Sequence, residues 1–212
     1  MLAAGQPGVL VWSVMSQAII VPETLTRREG VMAAMPALAA AGWPVLARSS
    51  GGGAVPQGPG TLNLSLVLPL APGFQIGQGY DLICDILADA LLQLAITADT
   101  GAVDGAFCDG AWNITVGGRK LAGTAQRWRG GAGTVLLHAA AQVSPLPGVV
   151  WPALAALHHA AGLPDAPRPD AHTTLSDLVA ETGQLVAFPA ILAQTASNRL
   201  SELLAAQSDA TA

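Results

Sequence analysis

Gly117-Gly118-Arg119-Lys120-Leu121-Ala122-Gly123-Thr124-Ala125-Gln126-Arg127-Trp128-Arg129 is the stretch from which the rest of the chain is read. It holds Lys120, the single lysine of a chain that otherwise uses arginine, eight times. Four of the nine cationic residues fall between positions 119 and 129, although the net charge is −5. Clustered cations in an acidic, alanine-rich chain suit a bound phosphate or carboxylate. Lysine differs from arginine in kind, being a compact point charge on a flexible stem whose pKa moves on burial. The plainer alternative is a solvated hairpin that happens to carry a lysine. Gly117-Gly118 is a two-residue turn of the type that needs positive φ. It joins strands predicted over Trp112–Val116 and Lys120–Arg129. Gly130–Gly133 turns the chain again into Thr134–Val143, which completes a three-strand antiparallel meander.

Upstream, Val9–Met15 and Ala18–Val21 read as strands rich in β-branched residues. Thr26 is placed to cap a helix over Arg27–Ala41 that stops at Gly42, with Pro36 expected to kink or split it. Pro44–Arg48 is a strand, followed by a Gly/Pro loop from Ser49 to Gly60. Leu62-Asn63-Leu64-Ser65 alternates apolar and polar, which puts Asn63 and Ser65 on one face of a sheet. Pro69–Gly79 is a connection. Apolar residues at helical spacing (Leu82, Ile83, Ile86, Leu87, Ala90, Leu91, Leu94) predict a helix over Tyr80–Ile96. Thr97–Gly110 is an irregular loop. Downstream, Trp151–Ala161 is a helix ended by Gly162, and Pro164–Pro169 is a linker-like loop. Thr174–Thr182 is a further helix, and a last one starts at Pro189 and runs to about Ala206, with a frayed tail beyond. Antiparallel strands with helices between them indicate an α+β fold, a mainly antiparallel mixed sheet packed with helices. Without a repeat or a boundary, residues 1–212 read as a single domain.

Composition narrows the function. The mean hydropathy is positive, at +0.48, but the most apolar run, Val31–Ala47, is broken by Pro36, Gly42 and Pro44 and is too short to span a bilayer. No membrane association is expected. Met1–Gly5 lacks the basic start of a signal peptide. Two cysteines make no disulfide framework, so the expected setting is the reducing cytoplasm. The acidic balance argues against nucleic acid as a partner.

Several residues are candidates for chemistry. Gly51-Gly52-Gly53 can bring backbone N–H groups close to an anion; it is neither a P-loop nor a dinucleotide fingerprint, and its plain reading is a mobile surface loop. Arg48, just before it, can hold a phosphate or carboxylate in bidentate fashion. Cys108 lies in a loop beside Asp109 and twelve residues before Lys120. A cysteine near a lysine can act as a nucleophile or be structural, and both readings stay open. Cys84 falls on the apolar face of its helix and reads as core. His158 and His159 are adjacent on a helix and read as surface residues; His138 is on a strand with one face near the site. No Cys/His spacing suggests zinc, so no metal site is expected.

Two segments resemble a known family. Arg48-Ser49-Ser50-Gly51-Gly52-Gly53-Ala54-Val55, followed by Gly60-Thr61-Leu62-Asn63-Leu64-Ser65, resembles the Arg-Arg-x-x-Gly-Gly-Gly-x-Val and Gly-x-x-Asn-x-Ser signature of the lipoate–protein ligase A family. Asn113-Ile114-Thr115-Val116-Gly117-Gly118-Arg119-Lys120-Leu121-Ala122-Gly123-Thr124-Ala125-Gln126 is similar to its Asp-x-x-x-x-Gly-x-Lys-Ile-x-Gly-Ser-Ala-Gln hairpin. The resemblance covers about residues 8 to 180. It implies the biotin/lipoate ligase catalytic fold, without the accessory C-terminal domain of the larger ligases. It also implies attachment of lipoate or octanoate, through an acyl-adenylate made with ATP and Mg2+, to a lysine of a lipoyl domain. Acceptors of that class are the lipoyl domains of 2-oxoacid dehydrogenases and the H protein of the glycine cleavage system. By the same resemblance, Lys120 contacts the activated carboxyl and phosphate. Gly51, Gly52 and Gly53 lie over the acyl-adenylate, Arg48 supports that loop, and Asn63 and Ser65 pin it from the sheet. Ser50, Ala54, Asn113, Gly123, Thr124 and Ala125 complete the substrate-binding set.

The chain departs from the pattern at three positions. Gln57 stands where the family has histidine, Ser49 where it has a second arginine, and Asn113 where the magnesium- and ATP-binding ligases have aspartate. Two alternatives follow. The octanoyltransferase branch of the superfamily resembles this layout with a nucleophilic cysteine, here Cys108. It uses no ATP and takes its acyl group from a carrier such as acyl carrier protein. The other alternative is a degenerate paralogue that binds lipoyl-type ligands without turnover.

Overall fold

The computed structural model describes residues 6–163 and 165–209. Strands β1 (Gly8–Ser13), β2 (Ala18–Pro22), β3 (Val45–Arg48), β4 (Val55–Gln57) and β5 (Thr61–Pro69) fill the first third. Helix α1 (Glu23–Thr26) and helix α2 (Glu29–Ala40) lie between β2 and β3. Then come α3 (Ile76–Leu92), β6 (Asp99–Gly101), β7 (Asn113–Val116), β8 (Arg119–Arg129), β9 (Thr134–Gln142), α4 (Val150–Ala160), α5 (Leu175–Leu178) and α6 (Thr182–Asp209). The strands form a six-stranded sheet in the order β1-β5-β9-β8-β7-β6, antiparallel throughout, and a three-stranded sheet in the order β3-β2-β4. Among the strands of the described residues, β2 and β3 make the one parallel pair. This is the α+β class expected, and Gly117 and Gly118 both take the positive φ their turn requires.

Alternation assigns the two faces of the large sheet. Leu62, Leu64, Leu66 and Leu68 of β5 and Val135, Leu137, Ala139 and Ala141 of β9 point to one side. There they pack on Ile83, Ile86, Leu87 and Leu91 of α3 and on Phe188, Leu192 and Ala196 of α6. The opposite face carries Asn63, Ser65, His138 and Ala140, which face one another in register across β5 and β9. A second core lies beyond that face, where Ile19, Val21 and Val45 of the small sheet pack with Val31, Leu38 and Trp43 and with Leu154 and Leu157 of α4. Helices α2 and α4 approach so closely that a Cβ on Gly30 would lie against the carbonyl oxygen of Ala160. The site lies where these two bodies meet.

Helix boundaries differ from the sequence expectation in four places. The helix expected over Arg27–Ala41 starts two residues later, at Glu29, with Arg28 as its N-cap; Thr26 ends the separate turn α1 and caps nothing. Pro36 lies inside α2 without breaking it; the contact with α4 holds the helix despite one missing N–H. The helix expected over Tyr80–Ile96 starts earlier, at Ile76, where a reciprocal Gln75/Gln78 box caps it. Gly79 belongs to the helix because it meets the sheet there: a Cβ would stand 2.7 Å from Gln126 Oε1. At the other end, Leu94 and Ile96 keep the apolar spacing but reach the core from a turn in which Ala95 has φ 59°. The helix expected over Thr174–Thr182 is a single turn, α5, capped by Thr174 with Asp177. Helix α6 begins at Thr182, with Pro189 inside it, and continues through Asp209 past the expected fraying point. Pro164, the first residue of the expected linker loop, lies outside the described residues, as do Met1–Gly5. No helix among the described residues is long and apolar enough to cross a membrane.

Candidate active site

Lys120 is deeply buried for a lysine, at 2% exposure. Its position on β8 follows from a bulge: the register against β7 slips between Ile114 and Thr115, so Lys120, Leu121 and Ala122 are all buried in succession. Bulges of this kind re-aim a side chain at the edge of a site. Lys120 Nζ donates to the carbonyl oxygens of Phe107 (2.7 Å) and Cys108 (3.0 Å) and lies 5.1 Å from the centre of the Phe107 ring. Gly123, three residues on, leaves the space the amine occupies; a Cβ there would be 3.2 Å from Nζ. Burial lowers the lysine pKa to about 8, against the opposing pull of Cys108 and Asp109.

The loop from Phe107 to Gly110 is gripped from three sides. His172 Nε2 accepts the Phe107 N–H at 3.1 Å, and Nδ1–H donates to the Arg168 carbonyl at 2.8 Å. A backbone N–H can only donate, so this ring is neutral, in agreement with a pKa lowered by burial to about 4. The His172 and Phe107 rings stack at 4.3 Å. Asp109 Oδ1 accepts the N–H groups of Val103 and Gly110 and the Asn113 carboxamide. Between these holds, Cys108 takes a left-handed backbone, φ 48°, which non-glycine residues seldom adopt.

The glycine loop closes over Cys108. The Gly53 N–H donates to Cys108 Sγ at 2.9 Å, and a Cβ on Gly52 would lie 2.9 Å from the same sulfur. Arg48 holds the loop by its carbonyls: Nη2 donates to Gly51 (2.9 Å) and Gly53 (2.7 Å), while Nη1 ties it to Ile20 of β2 (2.7 Å). Ser50 Oγ meets His138 Nε2 at 2.8 Å, and Arg127 donates to the Ser49 carbonyl. Burial, and then the nearby Arg48 charge, lower the His138 pKa to about 4. Cys84, by contrast, is a core thiol whose pKa burial pushes up to about 11.

Arg48, Cys108, Lys120, Gly123, Thr124 and Ala125 line one cavity. Ile20, Val55, Phe107 and Ala140 give it apolar walls. Other expected residues stand behind this lining. Asn63 accepts from Gln57 Nε2 at 3.0 Å and so braces the strand after the loop. Ser65 does not reach the loop: its hydroxyl accepts from Trp12, and the contact from the sheet to the loop is made by His138. Ala54 is buried in the second core, and Asn113 is occupied by Asp109. His172 was missed because it lies some fifty residues after Lys120 and reaches the site through backbone pairing, with Thr173 N–H donating to the Lys120 carbonyl at 2.9 Å. No lining residue of the cavity is acidic, and among the described residues no three His, Cys, Asp or Glu side chains gather as a metal site. These residues do not fit a magnesium–nucleotide complex.

Comparison with known proteins identifies the family. Over 117 residues the chain is 44% identical to an uncharacterized protein of Cupriavidus necator, covering 52% of this chain and 46% of the relative. Over 90 residues it is 48% identical to the octanoyl-[GcvH]:protein N-octanoyltransferase of Kyrpidia tusciae, covering 42% of this chain and 31% of that enzyme. The matched stretches thus span less than half the length of these relatives. The bi-partite lipoate protein ligase of Thermoplasma acidophilum shares the fold, with a TM-score of 0.63 at 18% identity over 92% of this chain and 72% of that one. The profile for the lipoyl protein ligase A/B catalytic domain matches residues 4–150, from the first strand through the glycine loop, Cys108 and Lys120, and the chain belongs to that family.

Proposed function

We propose that the protein is an acyltransferase that carries an octanoyl or lipoyl group as a thioester on Cys108 and passes it to a lysine of a lipoyl domain, without ATP. The observation that carries this reading is the contact of Cys108 Sγ with the glycine loop, inside the cavity that Lys120 also lines. The donor N–H of Gly53, the Arg48 guanidinium and the Lys120 ammonium surround a sulfur whose reactive form is the anion. The Kyrpidia relative is named for moving octanoyl from the glycine cleavage H protein, and the lining without carboxylates suits that route better than one through magnesium and ATP. The donor is then an acylated H protein or acyl carrier protein, and the acceptors are lipoyl domains of 2-oxoacid dehydrogenases. Two unpaired thiols suit the cytoplasm.

In the first step Cys108 sulfur bonds to the acyl carbon, and the bond from that carbon to the donor breaks, the donor leaving with a proton. In the second, the neutral acceptor amine attacks the thioester carbon, its C–N bond forms as the C–S bond breaks, and the proton the amine gives up goes to the leaving sulfur, which restores the Cys108 thiol. An ammonium has three N–H donors. Two of those on Lys120 are held by Phe107 and Cys108, and the third serves the acyl oxygen as charge develops on it. His172 acts as a positioning residue by fixing the Phe107 peptide. The apolar walls take the acyl chain. Intact mass after incubation with octanoyl-H protein or octanoyl carrier protein tests the reading: one acyl adduct is expected on the wild type and none on Cys108→Ala. An unmodified wild type that instead releases pyrophosphate with octanoate, ATP and magnesium would return the protein to the ligase class.

A further inference from the structure

A second cavity, which meets the acyl site at Phe107, is lined on its own side by His172, Trp151, Gln142 and Thr173. Two side chains that line it are nine-tenths or more buried yet lack protein partners. Gln142, 4% exposed, has neither Nε2 nor Oε1 hydrogen-bonded among the described residues, and the same holds for Oγ1 of Thr173, 1% exposed. Buried polar groups are nearly always paired, and an unpaired carboxamide is costly. The lining also carries three rings: His172 stacks on Phe107 at 4.3 Å, and Trp151 lies 5.2 Å from His172, tilted by 43°. The one charged lining residue is Asp177, and its Oδ2 already accepts from Thr174. His172 adds no positive charge, because its Nε2 is an acceptor.

These features define a ligand. A buried carboxamide with both polar atoms unpaired offers a donor and an acceptor side by side, which pairs with the same edge reversed. Stacked rings take a flat partner. A single carboxylate with no cation rejects phosphates and carboxylic acids. We propose that this cavity is a binding site for a small, uncharged, planar ring bearing an amide-type edge, paired to Gln142 and Thr173 and stacked against Trp151 and His172. It is separate from the acyl cavity, although the two share Phe107 as a wall.

Nicotinamide is the probe, and nicotinate its charged counterpart, with binding to the full chain followed by ligand-observed NMR and by quenching of tryptophan fluorescence. Nicotinamide should bind saturably. Nicotinate should bind at least about tenfold more weakly, as should nicotinamide to Gln142→Leu, each change removing a hydrogen-bonded pair. Thr173→Val serves as the second variant, and circular dichroism reports whether each is folded. Cys108→Ala should bind nicotinamide as the wild type does, which assigns the signal to this cavity. Three results would overturn the proposal: no nicotinamide binding to the folded wild type, nicotinate bound as tightly, or unchanged affinity in both folded cavity variants.

Discussion

Replacing Lys120 by methionine removes a buried charge while keeping most of the side-chain volume, and its effect on stability depends on pH in a calculable way. The lysine pKa falls from 10.5 in the unfolded chain to about 8 in the folded one. Below pH 8 both states hold the proton, and burying the ammonium is a standing cost. Between about pH 8 and 10.5 the unfolded state still binds a proton that the folded state has released, so stability rises with pH through this window. At about 1.4 kcal/mol per pKa unit the full span is about 3 kcal/mol, of which about 2.5 kcal/mol is realised between pH 7 and 10. At pH 7 the variant loses the buried charge but leaves the Phe107 and Cys108 carbonyls unpaired. That costs about 1–3 kcal/mol and brings the two proteins close together. The assay is urea unfolding at pH 7, 8.5 and 10, followed by tryptophan fluorescence. With the denaturant slopes of domains this size, the wild-type midpoint should gain on the variant by on the order of 1 M urea between pH 7 and 10. Midpoints that move in parallel over that range would show that Lys120 is solvated and that its proposed role as a desolvated donor is wrong.

Three other outcomes follow from the same geometry. Gly53→Ala puts a Cβ 3.1 Å from the Cys108 Cα. The contact forces the N–H away from the sulfur, so Cys108 acylation should slow about 10- to 100-fold, with a stability loss of only about 1–2 kcal/mol; unchanged acylation would remove the glycine loop from the mechanism. Arg48→Lys cannot span the carbonyls of Ile20, Gly51 and Gly53 at once, and faster hydrogen exchange at residues 50–54 should accompany slower acylation. His138 and His172 stay neutral to about pH 4 in the folded state but take up protons near pH 6.5 once unfolded. Their stabilisation is complete above pH 6.5 and is lost as pH falls toward 4, by about 2 kcal/mol each at pH 5. A urea midpoint that is flat from pH 7 to 5 would contradict both assignments.

Local chemistry made much of this protein legible from its residues. Gly117-Gly118 can only be a tight hairpin turn, because two consecutive positive φ angles are cheap for glycine alone. The leucine alternation on β5 declared both its buried face and the polar face carrying Asn63. The lone lysine and the glycine run both border the cavity, and there Gly52, at φ 101°, and Gly53 pack on Cys108 where a Cβ would not fit.

What the residues could not declare depends on contacts between distant segments. The helix start at Ile76 is set by a cap and by Gly79 meeting β8, not by apolar period. Pro36 and Pro189 sit inside helices because packing outweighs the one hydrogen bond each forgoes. The bulge that turns Lys120 inward is a mismatch between two strands and has no signature in either one. His172 and Gln142 gain their significance from what surrounds them, a peptide 65 residues upstream for the one and an unpaired burial for the other. Short-range pattern carries the α+β class, the family motifs and the principal charged groups. Which of those groups share a cavity depends on packing: burial, hydrogen-bond partners and lowered pKa values arise when segments far apart in the chain are brought into contact.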